Sequence, residues 1–283
     1  MTMETYASLW QIRAAINTQS QVENQDLLDA ADVTSRRIDN LLESEVPLFL
    51  PYVETREQQI TSYNINSSLG TFMLDSPLLE LTTVSAYSTD ITSRVAAYPP
   101  SAFPITRLRM SNTCWYSWYS PACGFDCTLA PLISITGVWG YRRRGGTRWR
   151  NIGTLDAGID ASVTAIVVDD LNGNPITQER SQLSAGNLLR IDSEYMIKEY
   201  TANGQTVERG VNGTTAAAHL ADATVYVFIV EEPIARVVAR QAGLMLARQG
   251  AYDVRGSNEL GTPIIYPSDL LGELYGALTP YAR

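Results

Sequence analysis

Residues 188–230 read LLRIDSEYMIKEYTANGQTVERGVNGTTAAAHLADATVYVFIV. Apolar residues come in strand-length runs here, Leu188 to Ile197 and Thr224 to Val230, with Thr206 to Arg209 between them. An Asn203-Gly204 pair sits where a hairpin turn belongs. Short runs punctuated by Gly, Asn and Thr predict a small antiparallel unit. Upstream, Val163 to Val168 predicts a buried strand, and Asp169 to Pro175 a polar turn. Residues 151–230 are therefore expected to form a β-rich module.

Such a module occupies only part of the chain. At roughly 150 residues per domain, 283 residues correspond to about two domains. A hydrophobic fraction of 45% with 18% charged residues supports an ordinary globular core and excludes disorder along the whole chain. No apolar run approaches the ~20 residues of a membrane-spanning helix, and the segment MTMETYASLWQIRAA has neither the basic nor the apolar region of a secretory signal. The net charge of -9 opposes a protein built to grip nucleic acid. Of the 21 basic residues only Lys198 is a lysine, and 20 are arginines.

Before the module, the period is first helical and then two. Leu9, Ile12, Arg13 and Ile16 predict one amphipathic helix with Thr5 as N-cap. Leu27, Leu28, Ala31, Ile38, Leu41 and Leu42 give the stripe of a second, over about 24–43, whose wet face holds Asp32, Arg36, Arg37 and Asp39. Pro47 and Pro51 end the helical region. Strands are expected at Gln58 to Tyr63, Gly70 to Leu74, Leu78 to Tyr87, Ile105 to Met110 and Leu132 to Tyr141, with Ser76-Pro77 as a turn. Gly137 and Gly140 allow a bulge or close backbone approach.

After the module, Glu232-Pro233 opens a helix with apolar residues at Ile234, Val237, Val238, Leu244 and Met245, ending near Gly250. The remainder carries Gly, Pro and Ser punctuation among exposed-looking apolar residues and reads as an extended docking tail. The fold class is therefore α+β: a helical N-terminal region, an antiparallel β-sheet, a C-terminal helix and tail, and an inserted small β-rich domain. Residues 1–150 and 231–261 form the discontinuous core, 151–230 the insertion and 262–283 the tail.

Catalytic patterns are sparse. His219 is the chain's single histidine, and neither a Gly-x-Ser-x-Gly nor a phosphate-cradling glycine motif occurs. Asp170, Asn172 and Asn174 alternate as calcium ligands do, but Pro175 and Ser181 stand where an EF-hand requires Gly and Glu. Cys114, Cys123 and Cys127 are odd in number and poorly spaced for zinc, so reduced structural thiols in a cytosolic folding compartment are expected. No enzyme activity, metal or cofactor is expected. The basic spot is Arg142, Arg143, Arg144, Arg148 and Arg150 around Trp149, read as loop-like. Its guanidinium forks suit carboxylate or phosphate, and the overall acidity favours a subunit or partner interface, with a solvated loop as the alternative, over DNA.

Three segments together resemble the head–tail connector, or adaptor, proteins of tailed bacteriophages. They are the helix pair LWQIRAAINTQSQVENQDLLDAADVTSRRIDNLL with its exit PLFLPYVETR, the strands LLELTTVSAYS and ISITGVWGYR, and the helix EEPIARVVARQAGLMLARQG. The insertion is similar to a β-module of virion proteins. The matching residues are Glu194, Met196, Val207, Arg209, Gly210, Gly213, Thr214, Ala216 and His219. The resemblance implies a structural virion protein, assembled in the host cytoplasm and located in the virion neck. It implies a homo-oligomeric ring of twelve subunits beneath the portal protein, passing DNA through its lumen without specific binding. A neck, stopper or tail-terminator protein would follow it, and no membrane is involved. Ile264, Ile265, Tyr266, Leu270, Leu271, Leu274 and Tyr275 are the residues expected to dock the tail into the portal. The alternatives are another phage tail or baseplate protein, or a glycan-binding module using Trp149 and Tyr195.

Overall fold

The structure, a computed structural model, describes residues 4–16, 23–44, 47–60, 64–66, 69–86, 89–100, 104–110, 132–142, 149–169, 183–201 and 206–249, with 272, 275, 276, 278 and 279. The architecture is α+β, as expected. Contacts divide the chain into residues 1–50 with 147–283 as one compact unit and 51–146 as the other. Whereas the sequence reading joins 1–150 to 231–261 and sets 151–230 apart, this grouping places the module with the helices and sets the first sheet apart.

The 51–146 unit is an antiparallel sheet of seven strands. They are β1 (Tyr52–Gln59), β2 (Ile65–Asn66), β3 (Thr71–Ala86), β4 (Thr89–Asp90), β5 (Val95–Ala97), β6 (Ile105–Met110) and β7 (Leu132–Trp139), ordered β1-β7-β3-β6-β5 with β2 and β4 on β3. Alternation along β7 sends Ile133, Ile135 and Trp139 inward, where they meet Phe72, Leu78, Val84, Leu108 and Met110 in one core. The Trp139 indole N–H donates to the Glu54 carbonyl at 3.0 Å, and the Arg56 guanidinium lies 4.6 Å from its ring centroid. Gly137 is required by proximity, because a Cβ there would run into the Glu80 carbonyl oxygen. Ser76-Pro77 is not a turn. β3 runs through it as one sixteen-residue strand whose register with β6 shifts between Met73 and Leu78. Proline has no N–H for a ladder, and this irregularity accommodates it. The first strand likewise begins at Tyr52, earlier than the expected Gln58.

The second sheet is six-stranded and antiparallel. It comprises β8 (Trp149–Leu155), β9 (Val168–Asp169), β10 (Leu188–Ile191), β11 (Glu194–Lys198), β12 (Val207–Arg209) and β13 (Thr224–Phe228), in the order β12-β11-β10-β13-β8-β9. Ile152, Leu155, Leu189, Ile191, Met196, Val207, Val225 and Val227 make its core. The expected strand 188–197 is two strands joined by Asp192-Ser193, with Asp192 at φ 52°, a left-handed conformation aspartate tolerates better than most residues. Nor is Val163 to Val168 a buried strand. Only Ile166 is buried, Val167 is 46% exposed, and pairing consists of a single bridge from Ala165 to Thr206 and the short edge pair of Val168 and Asp169 with β8.

Among the described residues, this unit also carries the helices α1 (Leu9–Ile16), α2 (Asn24–Leu41) and α3 (Glu232–Gln249), with helical positions at 272, 275, 276 and 278. The N-cap of α1 is Ser8 rather than Thr5. Gln11 accepts from the Ser8 N–H at 2.8 Å while Ser8 Oγ accepts from the Gln11 N–H at 3.5 Å, a capping box. Leu9 N–H donates to Ala185 O and Trp10 N–H to Ser184 Oγ, both at 2.9 Å, so α1 begins against the loop that leads into β10. α3 packs against both α1 and α2. Gly243 allows close approach to Ile16, and the Thr34 hydroxyl reaches Met245 Sδ at 3.5 Å. Asp39, expected on the wet face of α2, is 8% exposed. Among the described residues, no helix is long and apolar enough to cross a membrane.

Candidate functional site

The motif residues of the module converge on one buried carboxylate. Glu194 opens β11 with its side chain fully covered. Arg209, at the end of β12, grips it with Nε to Oε1 at 2.7 Å and Nη2 to Oε2 at 2.8 Å. The N–H groups of Gly210 and Ala217 donate to Oε1 and Oε2 at 3.0 and 2.8 Å. His219 Nε2 lies 2.9 Å from Oε2, and its Nδ1 lies 2.8 Å from Asp192 Oδ2. His219 thus bridges the two carboxylates through its two ring nitrogens.

Arg209 spends its remaining donors on carbonyls. Nη1 donates to Asp160 O at 3.0 Å and Val163 O at 2.6 Å, and Nη2 to Ala217 O at 2.6 Å. The His219 backbone pairs both ways with Ile159. Gly210 stands at φ 64°, and a Cβ there would lie 2.8 Å from Ala216 N. Thr214 Oγ1 accepts from Tyr195 N–H and donates to Val211 O. Met196 is buried in the sheet core. Burial opposes ionisation of Glu194, but the Arg209 fork, the Ala217 N–H and His219 outweigh it and hold the carboxyl below its ordinary range. These residues clamp the 209–219 loop onto the β10–β11 hairpin and the 159–163 segment.

This arrangement suits a fold lock better than a reaction centre. Each polar atom of Glu194 and each donor of Arg209 is engaged internally, and the His219 side chain is 2% exposed. Among the described residues, no group of three His, Cys, Asp or Glu could hold a metal. The alternating Asp170, Asn172 and Asn174, and all three cysteines, lie outside the described residues.

The arginine segment is not simply a loop. Trp149 and Arg150 belong to β8 and pair with Phe228 and Val227. A cleft of about 330 Å³ within this unit is lined by exposed Arg150 together with Trp10, Gln11, Asn187 and Phe228. Arg142 is half-buried, whereas Arg143, Arg144 and Arg148 fall outside the described residues. The Trp149 ring packs 5.2 Å from Tyr195 and 5.1 Å from Phe228. With Tyr195 only 4% exposed, Trp149 and Tyr195 do not form an open platform for a saccharide ring. In the tail, Tyr275 is 55% exposed and helical, while Leu278 is buried. Ile264, Ile265, Tyr266, Leu270, Leu271 and Leu274 fall outside the described residues.

A second buried polar cluster was not read from the sequence. The Tyr6 hydroxyl donates to Asp39 Oδ1, which also accepts from Leu48 N–H at 3.0 Å, and Phe49 N–H donates to the Tyr6 oxygen at 3.3 Å. Tyr6 N–H donates to Ser35 Oγ at 3.0 Å. Burial raises Asp39 to about 7 against the opposing pull of Tyr6 and Leu48, and burial with the adjacent Asp39 raises the Tyr6 phenol. A signal was present: Asp39 continues the buried series Leu28, Ala31, Ser35 at 3–4 spacing. Lys198 is also buried; its Nζ donates to Glu199 O and Thr206 O, and desolvation lowers its pKa.

No family model matches the chain, and neither a curated protein nor a solved structure matches it.

Proposed function

We propose that the chain is a structural subunit of a virion neck, a head–tail connector that forms a ring beneath a portal, extends the DNA channel and receives the next neck protein. The observation that carries this reading is the helical cluster. α1 and α2 precede the first sheet and α3 follows the second, yet α3 packs on both. These helices are among the segments on which the connector resemblance rests, the others being the exit PLFLPYVETR and the strands LLELTTVSAYS and ISITGVWGYR. The module's chemistry-bearing residues being spent on a fold lock also supports a structural role. A closed ring uses two different complementary faces on each subunit. The -9 charge suits a lumen through which DNA slides without being held. Residues 262–283 are assigned to portal docking.

The test is co-assembly of the full chain with its portal protein, followed by size-exclusion chromatography and negative-stain imaging. A ring coaxial with the portal is expected, and deletion of 262–283 should abolish its attachment while leaving the chain folded. A chain that neither associates with the portal nor closes into a ring refutes the reading.

A further inference from the structure

Arg190 occupies β10, inside the six-stranded sheet, flanked in register by Tyr226 of β13 and Tyr195 of β11. Residues paired in register share a face, and this one is opposite the face of Leu189 and Ile191, which lie in the sheet core. The guanidinium carbon lies 4.7 Å from the Trp149 ring centroid and 4.9 Å from that of Tyr226. Both are cation–π distances, and they fix the plane of the guanidinium while removing part of its hydration.

Arg190 differs from Arg209 in what it lacks. Its side chain makes no hydrogen bond or ion pair with any described residue, and its buried Nε has no acceptor among them. The side chain is half-buried, so its charge is neither freely hydrated nor neutralised. The aromatic rings attract the cation but offer no acceptor to its in-plane N–H groups. An in-plane carboxylate or phosphate satisfies a planar fork. The chain carries 30 acidic residues against 21 basic ones, so each copy brings a surplus of carboxylates to a neighbour's cation.

We propose that Arg190, held against Trp149 and Tyr226, is the docking point for an exposed carboxylate of a second copy of this chain, received end-on by its two Nη groups. The assignment rests on the ring reading and deepens it: this face supplies the cationic half of a heterologous contact, and a different face of the next copy supplies the acid.

The test compares the full-length chain with Arg190→Met and Arg190→Lys, by sedimentation velocity over a concentration series at low and high salt, with a urea unfolding curve for each. The expected result for R190M is self-association weakened at least about tenfold at low salt, with loss of its salt dependence, while the unfolding midpoint holds. R190K should fall nearer to R190M than to the parent, because an ammonium keeps the charge but not the planar fork. It also provides the test if R190M does not fold. Unchanged assembly of both variants overturns the proposal while leaving a ring intact. Arg190-dependent dimers that never close into a ring support the proposal and refute the ring. A parent chain that stays monomeric at every concentration overturns the second-copy assignment. So does loss of DNA retention with normal assembly, which would mark a phosphate site.

Discussion

Replacing Glu194 by glutamine removes one charge and almost no volume, so it isolates the electrostatic part of the module's lock. Five donors converge on the carboxylate: Nε and Nη2 of Arg209, the N–H groups of Gly210 and Ala217, and His219 Nε2. An amide has one acceptor oxygen. With that oxygen on the His219 side, the new NH₂ faces Arg209 Nε and Gly210 N–H; in the other orientation it faces Arg209 Nη2, Ala217 N–H and His219. At least two donors therefore lose their acceptor, and the Arg209 side chain, 5% exposed, keeps a charge without a counter-ion. Breaking a buried pair by removing one partner costs about 3–5 kcal/mol.

The measurement is urea unfolding. With a slope of about 3 kcal/mol per molar urea, the midpoint should fall by roughly 1–1.7 M. Hydrogen exchange of the Gly210 and Ala217 amides should accelerate more than that of the β1–β7 ladder in the other unit. Arg209→Lys should behave in the same direction, since an ammonium cannot span the two carboxylate oxygens and the carbonyls of Asp160, Val163 and Ala217 together. A midpoint shift below about 0.3 M for E194Q, corresponding to less than ~1 kcal/mol, would refute the claim that this network holds the loop closed.

Three further substitutions probe other links. Ser8→Ala removes half of the capping box and should cost about 1 kcal/mol, read as a lower urea midpoint. Gly137→Ala drives a methyl into the Glu80 carbonyl and the Leu78 side chain and should cost about 1–3 kcal/mol or shift β3; an unchanged thermal midpoint would show that the sheet gives way freely. Asp39 titrates near 7 in the folded chain against an ordinary 3.8, so the folded state holds the extra proton between those values. Its contribution is full below about pH 4 and is lost as pH rises through 7, an effect of roughly 4 kcal/mol. Asp39→Asn keeps an acceptor for Tyr6 and Leu48 and should flatten the fall in stability between about pH 4 and pH 7, which paired urea titrations would detect.

What was legible in the sequence is what depends on neighbours along the chain. The stripes of α2 and α3 and the alternation of β7 follow from the helical and strand periods alone. Pro77 misled because proline usually punctuates, whereas here a long strand absorbs it at a register shift. Asp192-Ser193 was missed because the apolar pattern runs through it without an Asn-Gly or Asp-Gly signal. The Glu194 motif was readable as a pattern but not as a network, since Arg209 and His219 lie 15 and 25 residues away and meet it only once the loop closes. Tyr6 and Asp39, 33 residues apart, depend on tertiary packing in the same way.

The arginine excess acquires a physical reading from these contacts. Arg209 makes a two-pronged grip on a buried carboxylate, Arg190 lies against two aromatic rings, Arg56 lies over Trp139, and Arg109 stands 5.6 Å from the Tyr98 ring centroid. Each contact exploits a flat, delocalised cation, and a lysine would keep the charge while losing the plane. Lys198 is the contrasting case, an ammonium buried at a strand end where two backbone carbonyls suffice. The distinction also separates fold from function. Arg209 is saturated within its own module and has nothing left for a partner, whereas Arg190 is oriented by two rings and its Nε finds no acceptor among the described residues. If the proposed contact holds, the search for the assembly interface begins on the β10–β13 face rather than at the motif.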